Sequence, residues 1–517
     1  MSDEVFYLTT PIYYVNDVPH LGHAYTTVAA DVICRFQRLD GRRVHFLTGT
    51  DEHGLKVFRT AQDKGLSPKE WADRIVPRWH EVWAALDISN DDFIRTTEPR
   101  HEGPVQDFVQ ALYDRGDVYL DTYRGLYCVG CEEFKAPDQL VDGKCPLHGT
   151  EPEVVEEDNY FFRLSKYQDR LIELYESDPR SVMPETRRNE VLGKVRAGLE
   201  DLSISRTSFD WGIPIPWDPK HVIYVWVDAL QNYITAVGYG RDQEMFGRIW
   251  PADVHLIGKD ILWFHAVIWP AMLMALDLPL PRTVFAHGFL NIGGEKMSKS
   301  RLTGISPHDL VATFGSDGYR YYFMREISFG RDGEFSWEGM VQRYNADLAN
   351  DLGNLAARVL NMAVRYLGAT VPEPPAEAEL TDSERSLHET QVSALQGMRA
   401  AFAELSPTEA LKECWRFVRK ANAYVEEVAP WALAKEPSQM RRLEVVLYSL
   451  LDSLRLIALM TSPVVPRAAQ ELWRRLGQPG EVARRAYAAD AVFGRLEPGA
   501  TVEVGEPLFP RLEESGS

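Results

Sequence analysis

The chain has 517 residues, too many for one ordinary core and enough for three or four domains. Its hydrophobic fraction of 45% and charged fraction of 26% are those of a globular protein in water. The net charge of −20 argues against a surface that is basic throughout, so any contact with nucleic acid must rest on local Lys and Arg.

Met1-Ser2-Asp3-Glu4 is acidic with no long apolar run behind it, which argues against a secretory signal. Val5 to Tyr14 is rich in β-branched and aromatic residues and predicts a buried strand. A loop with Asn16, Asp17 and Pro19 leads into a helix from His20 to Leu39, and Val44 to Leu47 is the next strand, opening on Thr48-Gly49-Thr50-Asp51-Glu52-His53-Gly54. Strand, helix, strand is a βαβ unit of a parallel sheet. The pattern breaks near Asp117 into short aromatic runs, glycines and clustered cysteines, and resumes at His221 to Val227, Val254 to Ile257 and Thr283 to Ala286. This predicts a doubly wound sheet split by an insertion at 117–219. Ile261 to Leu280 is apolar enough to suggest a membrane span, but it contains His265, Pro270 and Asp277 and has no second candidate with it, so a buried helix is expected. Beyond Tyr344, helical spacing recurs in Ala346 to Tyr366, Ser383 to Glu404, Thr408 to Glu427 and Met440 to Met460. Pro372-Glu373-Pro374-Pro375 reads as a loop inside that bundle, and the polar tail from Glu503 is expected to fray.

His20-Leu21-Gly22-His23 falls where a strand's end meets a helix's start, a place that favours phosphate; the bland alternative is two surface histidines. Lys296-Met297-Ser298-Lys299-Ser300 follows two glycines and carries two lysines three apart, suited to a leaving pyrophosphate; the alternative is a solvated basic turn. Of the five cysteines, Cys128, Cys131 and Cys145 join His148 in two C-x-x-ligand pairs. That spacing suits a closed, structural S₃N zinc knuckle in a reducing compartment, with Gly130 and Gly143 in the turns; a redox C-x-x-C is the alternative.

In this order the histidine and lysine segments resemble the two nucleotide-binding motifs of class I aminoacyl-tRNA synthetases. With Thr10 to Tyr14, Tyr224 to Tyr233, Gly258 to His265 and Trp269, the chain resembles the methionyl-tRNA synthetases from its start to about Gly477. The resemblance implies that His20, Gly22, His23, Gly258, Asp260, Lys296 and Lys299 bind ATP, the two histidines and two lysines being catalytic. It implies a methionine pocket of Ile12, Tyr14, Trp226, Ala229, Tyr233, Phe264, His265 and Trp269, with Asp51 on the substrate ammonium. It implies that Asn354, Arg358 and Trp431 read the anticodon. Related enzymes carry knuckles in their insertion, many with four cysteines where this chain has His148.

The expected fold is thus α/β, a Rossmann-type sheet in two halves (1–116 and 220–290) around an inserted zinc-knuckle domain at 117–219. A segment at 291–344 would carry the lysine motif, 345–500 a helical anticodon-binding bundle, and 501–517 a tail. The expected activity is ligation of methionine to tRNA(Met), initiator and elongator, with ATP, structural Zn²⁺ and Mg²⁺, in a cytoplasmic monomer without a membrane partner. Enzymes for leucine, isoleucine or valine would need a larger insertion, and a cysteine enzyme would place its zinc at the substrate. A non-catalytic scaffold would have no use for the histidines and lysines, and a nucleotidyltransferase none for the bundle.

Overall fold

The structure is a computed structural model that describes residues 4–135, 139–292 and 305–513. Lys296 and Lys299 lie outside the described residues.

Six parallel strands form the central sheet, in the order Asp92–Arg95, Arg43–Asp51, Val5–Tyr14, Val254–Gly258, Val284–His287, Val182–Met183. Val5–Tyr14 has no exposed residue, as its continuous apolar and aromatic run predicts. It pairs with Arg43–Asp51 on one side and Val254–Gly258 on the other, so the strand order reverses there. A crevice at the carboxyl ends of strands where order reverses is where doubly wound sheets bind ligands.

The stretch 117–219 is not a single separate body. It contributes a four-stranded antiparallel sheet built on Val118–Cys128 and Glu153–Phe162, returns to the main sheet at the two-residue edge strand Val182–Met183, then leaves again. Two residues are too short a run to carry a period. The expected strand from His221 to Val227 is also corrected. Asp218–Ile223 is a strand of a separate three-stranded antiparallel sheet, and Val225–Leu230 is a helix. A continuous apolar run buried on all sides reads alike as strand or helix. Of Ile261 to Leu280, the part up to Ala275 is helical and largely buried in the protein, and among the described residues no helix is long and apolar enough to cross a membrane.

The bundle has helices at Asn354–Leu367, Asp382–Ala403, Pro407–Val428 and Met440–Thr461, within a residue or so of the expected spans except at the first. There the regular helix is preceded by a wide π-type segment, Tyr344–Gly353. The helix Leu21–Leu39 and the bundle share one apolar core, with Phe36 stacked on Phe402 at 4.0 Å. The tail does not fray at Glu503. Val502 and Phe509 are buried, and Asn345 holds Leu512 at both backbone groups (2.9 Å each). Apolar residues spaced widely through a polar stretch dock it without giving it a period.

Candidate active site and metal cluster

His20 is the N-cap of the helix Leu21–Leu39. Its Nδ1 accepts from the backbone N–H of Gly22 (3.1 Å) and of His23 (3.4 Å), while His23 Nδ1 accepts from the His20 N–H (3.3 Å). The rings stack at 3.5 Å. With both Nδ1 atoms accepting, each ring carries its proton on Nε2, the nitrogen left to donate. Desolvation holds both imidazoles below their ordinary pKa, His23 most strongly, packed against Tyr13 and Trp79. This helix end therefore offers neutral N–H donors and the helix dipole to an anion, and full positive charge must come from elsewhere. Gly258 and Asp260 flank the end of the neighbouring strand Val254–Gly258, on the other side of the crossover.

The aromatic residues singled out in the sequence come together beside this crevice. Trp226 stacks on Phe264 at 3.9 Å and 7°, with Tyr14 edge-on to Trp226 at 6.3 Å. Tyr233 donates its hydroxyl to His265 Nε2 at 2.7 Å, and His265 Nδ1–H donates to the Ile261 carbonyl at 2.9 Å. Burial pushes His265 down to about 4, so the ring is neutral. Trp269 lies 6.2 Å from Tyr233, Ala229 is buried, and Ile12 packs against the same apolar cluster. The walls are apolar and uncharged.

Polar character sits at one end. Tyr14 is the direct cross-strand partner of Asp51. The Tyr14 hydroxyl, Asp51 Oδ1 and the Trp226 indole nitrogen are all buried with no hydrogen-bond partner among the described residues. Burial, then the charges of Asp228 and Glu132, push the Asp51 carboxyl well above its ordinary range. A buried carboxylate that accepts the His53 backbone N–H, has one oxygen left unpaired and is pressed by two other acids is a site for a cation.

Sequence reasoning passed over several residues here. His255 accepts from the Trp269 indole N–H (3.3 Å) and bonds Thr9 (2.8 Å), fixing the pocket floor beneath Tyr233. His53 and Asp228 lay inside runs already picked out, yet nothing in a one-dimensional reading pairs residues 175 positions apart. Glu132 is buried and accepts the Lys56 backbone N–H at 2.6 Å, thereby capping the helix Leu55–Asp63 that follows Asp51.

Glu132 also adjoins the cysteine cluster. The ligand atoms of Cys128, Cys131, Cys145 and His148 lie within 4.8 Å of one another, with Cys131 Sγ to Cys145 Sγ at 3.5 Å and His148 Nδ1 3.3–3.9 Å from the three sulfurs. A tetrahedral ion with metal–sulfur bonds of about 2.3 Å sets such edges at roughly 3.6–3.8 Å. The four residues fit one metal ion. Gly143 turns with φ +75°, as expected, but Gly130 is required for room: a Cβ there would meet the His148 ring at 2.5 Å.

In the bundle, Arg358 sits over the Trp431 ring at 5.7 Å and pairs with Glu426 at 2.6 Å. Trp431 is 38% exposed, which rules out a core tryptophan; Trp415, on the helix Pro407–Val428, is fully buried. The chain leaves the helix Pro407–Val428 through Ala429 in the left-handed region (φ 44°), and Pro430 opens the short helix that projects Trp431. Asn354 is exposed one turn before Arg358, on the same helix face.

Two family patterns match this chain. The one described as tRNA synthetases class I (M) covers residues 6–151 and 135–360, and the anticodon binding domain of methionyl tRNA ligase covers residues 374–516. The chain belongs to the methionyl-tRNA synthetases. The methionine–tRNA ligase of Streptomyces coelicolor is 52% identical over 526 residues, spanning 99% of this chain and 97% of that one. That of Thermotoga maritima is 48% identical over 512 residues, 98% of this chain and 80% of that one. The Mycobacterium tuberculosis methionyl-tRNA synthetase in complex with methionyl-adenylate superposes with a TM-score of 0.93 at 44% identity, covering 98% of this chain and 100% of that one. The free-state form of the same enzyme gives a TM-score of 0.87 at 41% identity, covering 99% and 98%. Membership of this family accounts for the split parallel sheet, the Cys₃His cluster and the helical bundle together.

Proposed function

We propose that the chain is a methionine–tRNA ligase. The methionine carboxylate attacks the α-phosphate of ATP and pyrophosphate leaves; the 3′-terminal hydroxyl of tRNA then attacks the adenylate carbonyl and AMP leaves. The observation that carries this reading is the unpaired Asp51 carboxylate oxygen at the polar end of a neutral aromatic pocket, beside a histidine-capped helix N-terminus. Asp51 takes the α-ammonium, and Ile12, Tyr14, Trp226, Ala229, Tyr233, Phe264, His265 and Trp269 enclose the thioether. Such walls exclude charged side chains by desolvation and branched ones by shape. His20 and His23 donate Nε2–H to the ATP phosphates, Gly22, Gly258 and Asp260 lie along the nucleotide, and Lys296 and Lys299 supply the charge that the neutral histidines lack. Magnesium with ATP neutralises part of the triphosphate. Positioning and charge stabilisation carry the catalysis, with no covalent nucleophile on the protein. The compartment is the cytoplasm and the working form a monomer.

The test is exchange of labelled pyrophosphate into ATP with each of the twenty amino acids and no tRNA. Methionine alone is expected to support exchange; another amino acid doing so would overturn the pocket assignment.

Asn354, Arg358 and Trp431 are assigned to the anticodon of tRNA(Met), initiator and elongator alike. An exposed indole under a guanidinium is a stacking platform for an unpaired base, worth about 1–3 kcal/mol. Trp431→Ala is expected to lower kcat/KM for tRNA charging by about 10–100-fold and leave methionine-dependent exchange unchanged. Equal loss of both would make Trp431 a structural residue.

Cys128, Cys131, Cys145 and His148 are assigned to one structural zinc, since four protein ligands leave no open position. Through Glu132 the knuckle caps the helix that follows Asp51. Chelation is expected to release one zinc per chain, lower the melting temperature and raise the KM for methionine. Metal analysis and a melting curve check this, and full metal loss without either change would remove the structural role.

A further inference from the structure

Between the proposed ammonium acceptor and the apolar wall of the pocket lies a fully buried polar cluster with no part in the chemistry above. Asp228 is completely buried on the helix Val225–Leu230, which also carries Trp226 and Ala229. Its two carboxylate oxygens are taken by two imidazoles from different elements. His53 Nδ1 lies 2.7 Å from Oδ2, and His101 Nε2 lies 2.7 Å from Oδ1. His53 is two residues past Asp51; His101 is on the helix Pro99–Asp114. His101 Nδ1 is 2.8 Å from the Thr235 hydroxyl, on the short helix Asn232–Thr235 that carries Tyr233. Facing an ionised carboxylate, both rings donate N–H to Asp228, and the Thr235 hydroxyl bonds His101 Nδ1 with the Asn232 carbonyl 3.4 Å away as its other partner.

We infer that Asp228 is a positioning residue for methionine: through His53 and His101 it fixes the Asp51 loop against the helices that carry Trp226, Ala229 and Tyr233. The inference rests on the methionine-site reading above. An amino acid is gripped at two ends, by its ammonium and by its side chain. The separation of those grips must be held to a fraction of an ångström if a side chain one methylene shorter or longer is to bind less well. Asp51 and the aromatic wall belong to segments far apart in sequence. The bonds to Asp228 tie them with a carboxylate that has no rotational freedom left, and burial makes each bond costly to break. The ATP-binding helix Leu21–Leu39 makes none of these bonds, so the cluster acts on one substrate and not on the other.

That asymmetry separates a positioning role from a merely structural one. In methionine-dependent pyrophosphate exchange with the full chain, His53→Ala is expected to raise the KM for methionine about tenfold and to change the KM for ATP by less than about twofold. His53→Gln, whose amide N–H can still reach Asp228, is expected to recover most of the loss. An equal rise in both KM values, or a fall in kcat with neither KM changed, would overturn the inference. Should His53→Ala not fold, Thr235→Val, nearly isosteric, tests the same chain from its far end. A methionine KM raised about two- to threefold at constant ATP KM supports the inference, and an unchanged methionine KM overturns it. Asp51→Asn is the control. If it too leaves the methionine KM unchanged, the site reading has failed; if it raises that KM while His53→Ala does not, this inference alone has failed.

Discussion

Asp51→Asn is expected to raise the KM for methionine by about 10²–10³-fold and to leave the KM for ATP nearly unchanged. The side chain is buried, Oδ1 has no partner among the described residues, and its neighbours Asp228 and Glu132 add negative potential. An ammonium placed there gains a charge-assisted bond away from bulk water and relieves the repulsion among three acids. Loss of such a partner costs about 2–5 kcal/mol. Asparagine keeps the shape and removes the charge, so packing is not what the variant tests. Two further measurements fix the cause. Burial and like charges raise Asp51 above its ordinary range, and only the ionised form binds an ammonium, so kcat/KM for methionine should fall as the pH drops through that raised value. The asparagine variant should lack that limb. A carboxyl whose folded-state pKa is raised costs stability above its unfolded value, so the variant should melt at the same temperature or higher. Weaker methionine binding in a protein of equal or greater stability would mark Asp51 as strain held for function. A variant that melts lower and loses both substrates alike would make it a structural residue.

Most of this architecture was legible in the sequence where period and punctuation were strong. Val5–Tyr14 is a strand within the residues expected, and the bundle helices follow from 3.6-residue apolar spacing. Legibility failed where a run was buried on all sides: His221 to Val227 changes from strand to helix at Tyr224, which no alternation could reveal. It failed at Val182–Met183, too short to carry a period, and in the tail, where Phe509 and Leu512 dock through isolated contacts. The site divides the same way. The aromatic residues, the Cys₃His set and the two histidines were accessible because each group is a local run with its own chemistry. The His53–Asp228–His101 cluster was not, because its members are polar residues that look solvated in one dimension and meet only through the sheet crossover. Gly130 is a milder case: read as a turn residue, it is needed for the room it leaves His148.

Arg320→Met is expected to cost about 3–5 kcal/mol of stability, read as a shift in the denaturant midpoint. Arg320 is wholly buried on the helix Pro307–Glu326 and donates to Asp31 Oδ2 (2.6 Å) and to the carbonyls of Leu86 (3.0 Å), Pro463 (2.8 Å) and Val464 (2.9 Å). Asp31 lies on the helix Leu21–Leu39, and Pro463 and Val464 follow the bundle helix Met440–Thr461, so one guanidinium joins the helix packed on the central sheet to the bundle. Methionine fills the volume but leaves three buried carbonyls and part of a carboxylate without donors, and that desolvation outweighs the apolar gain. Asp31 retains Arg35 (2.6 Å) and Ser89 (2.6–2.7 Å), which keeps the loss below that of a wholly stranded charge. The effect depends on pH in a defined direction. Burial works to raise the Asp31 carboxyl, but Arg320 and Arg35 outweigh it and bring it from 3.8 to about 2. Its contribution is therefore fully present above about pH 4 and lost as the pH falls through about 2, so the gap between wild type and variant should narrow in acid without closing, because the three carbonyls stay without donors at every pH. Because the bond spans two regions, tRNA charging should fall more than methionine-dependent exchange. Exchange needs the sheet, its crevice and the lysine segment but not the bundle, while charging also needs the bundle held at a fixed distance from the crevice. Equal loss of the two activities at a temperature where the variant is folded would mean that Arg320 supports the core and does not set that distance.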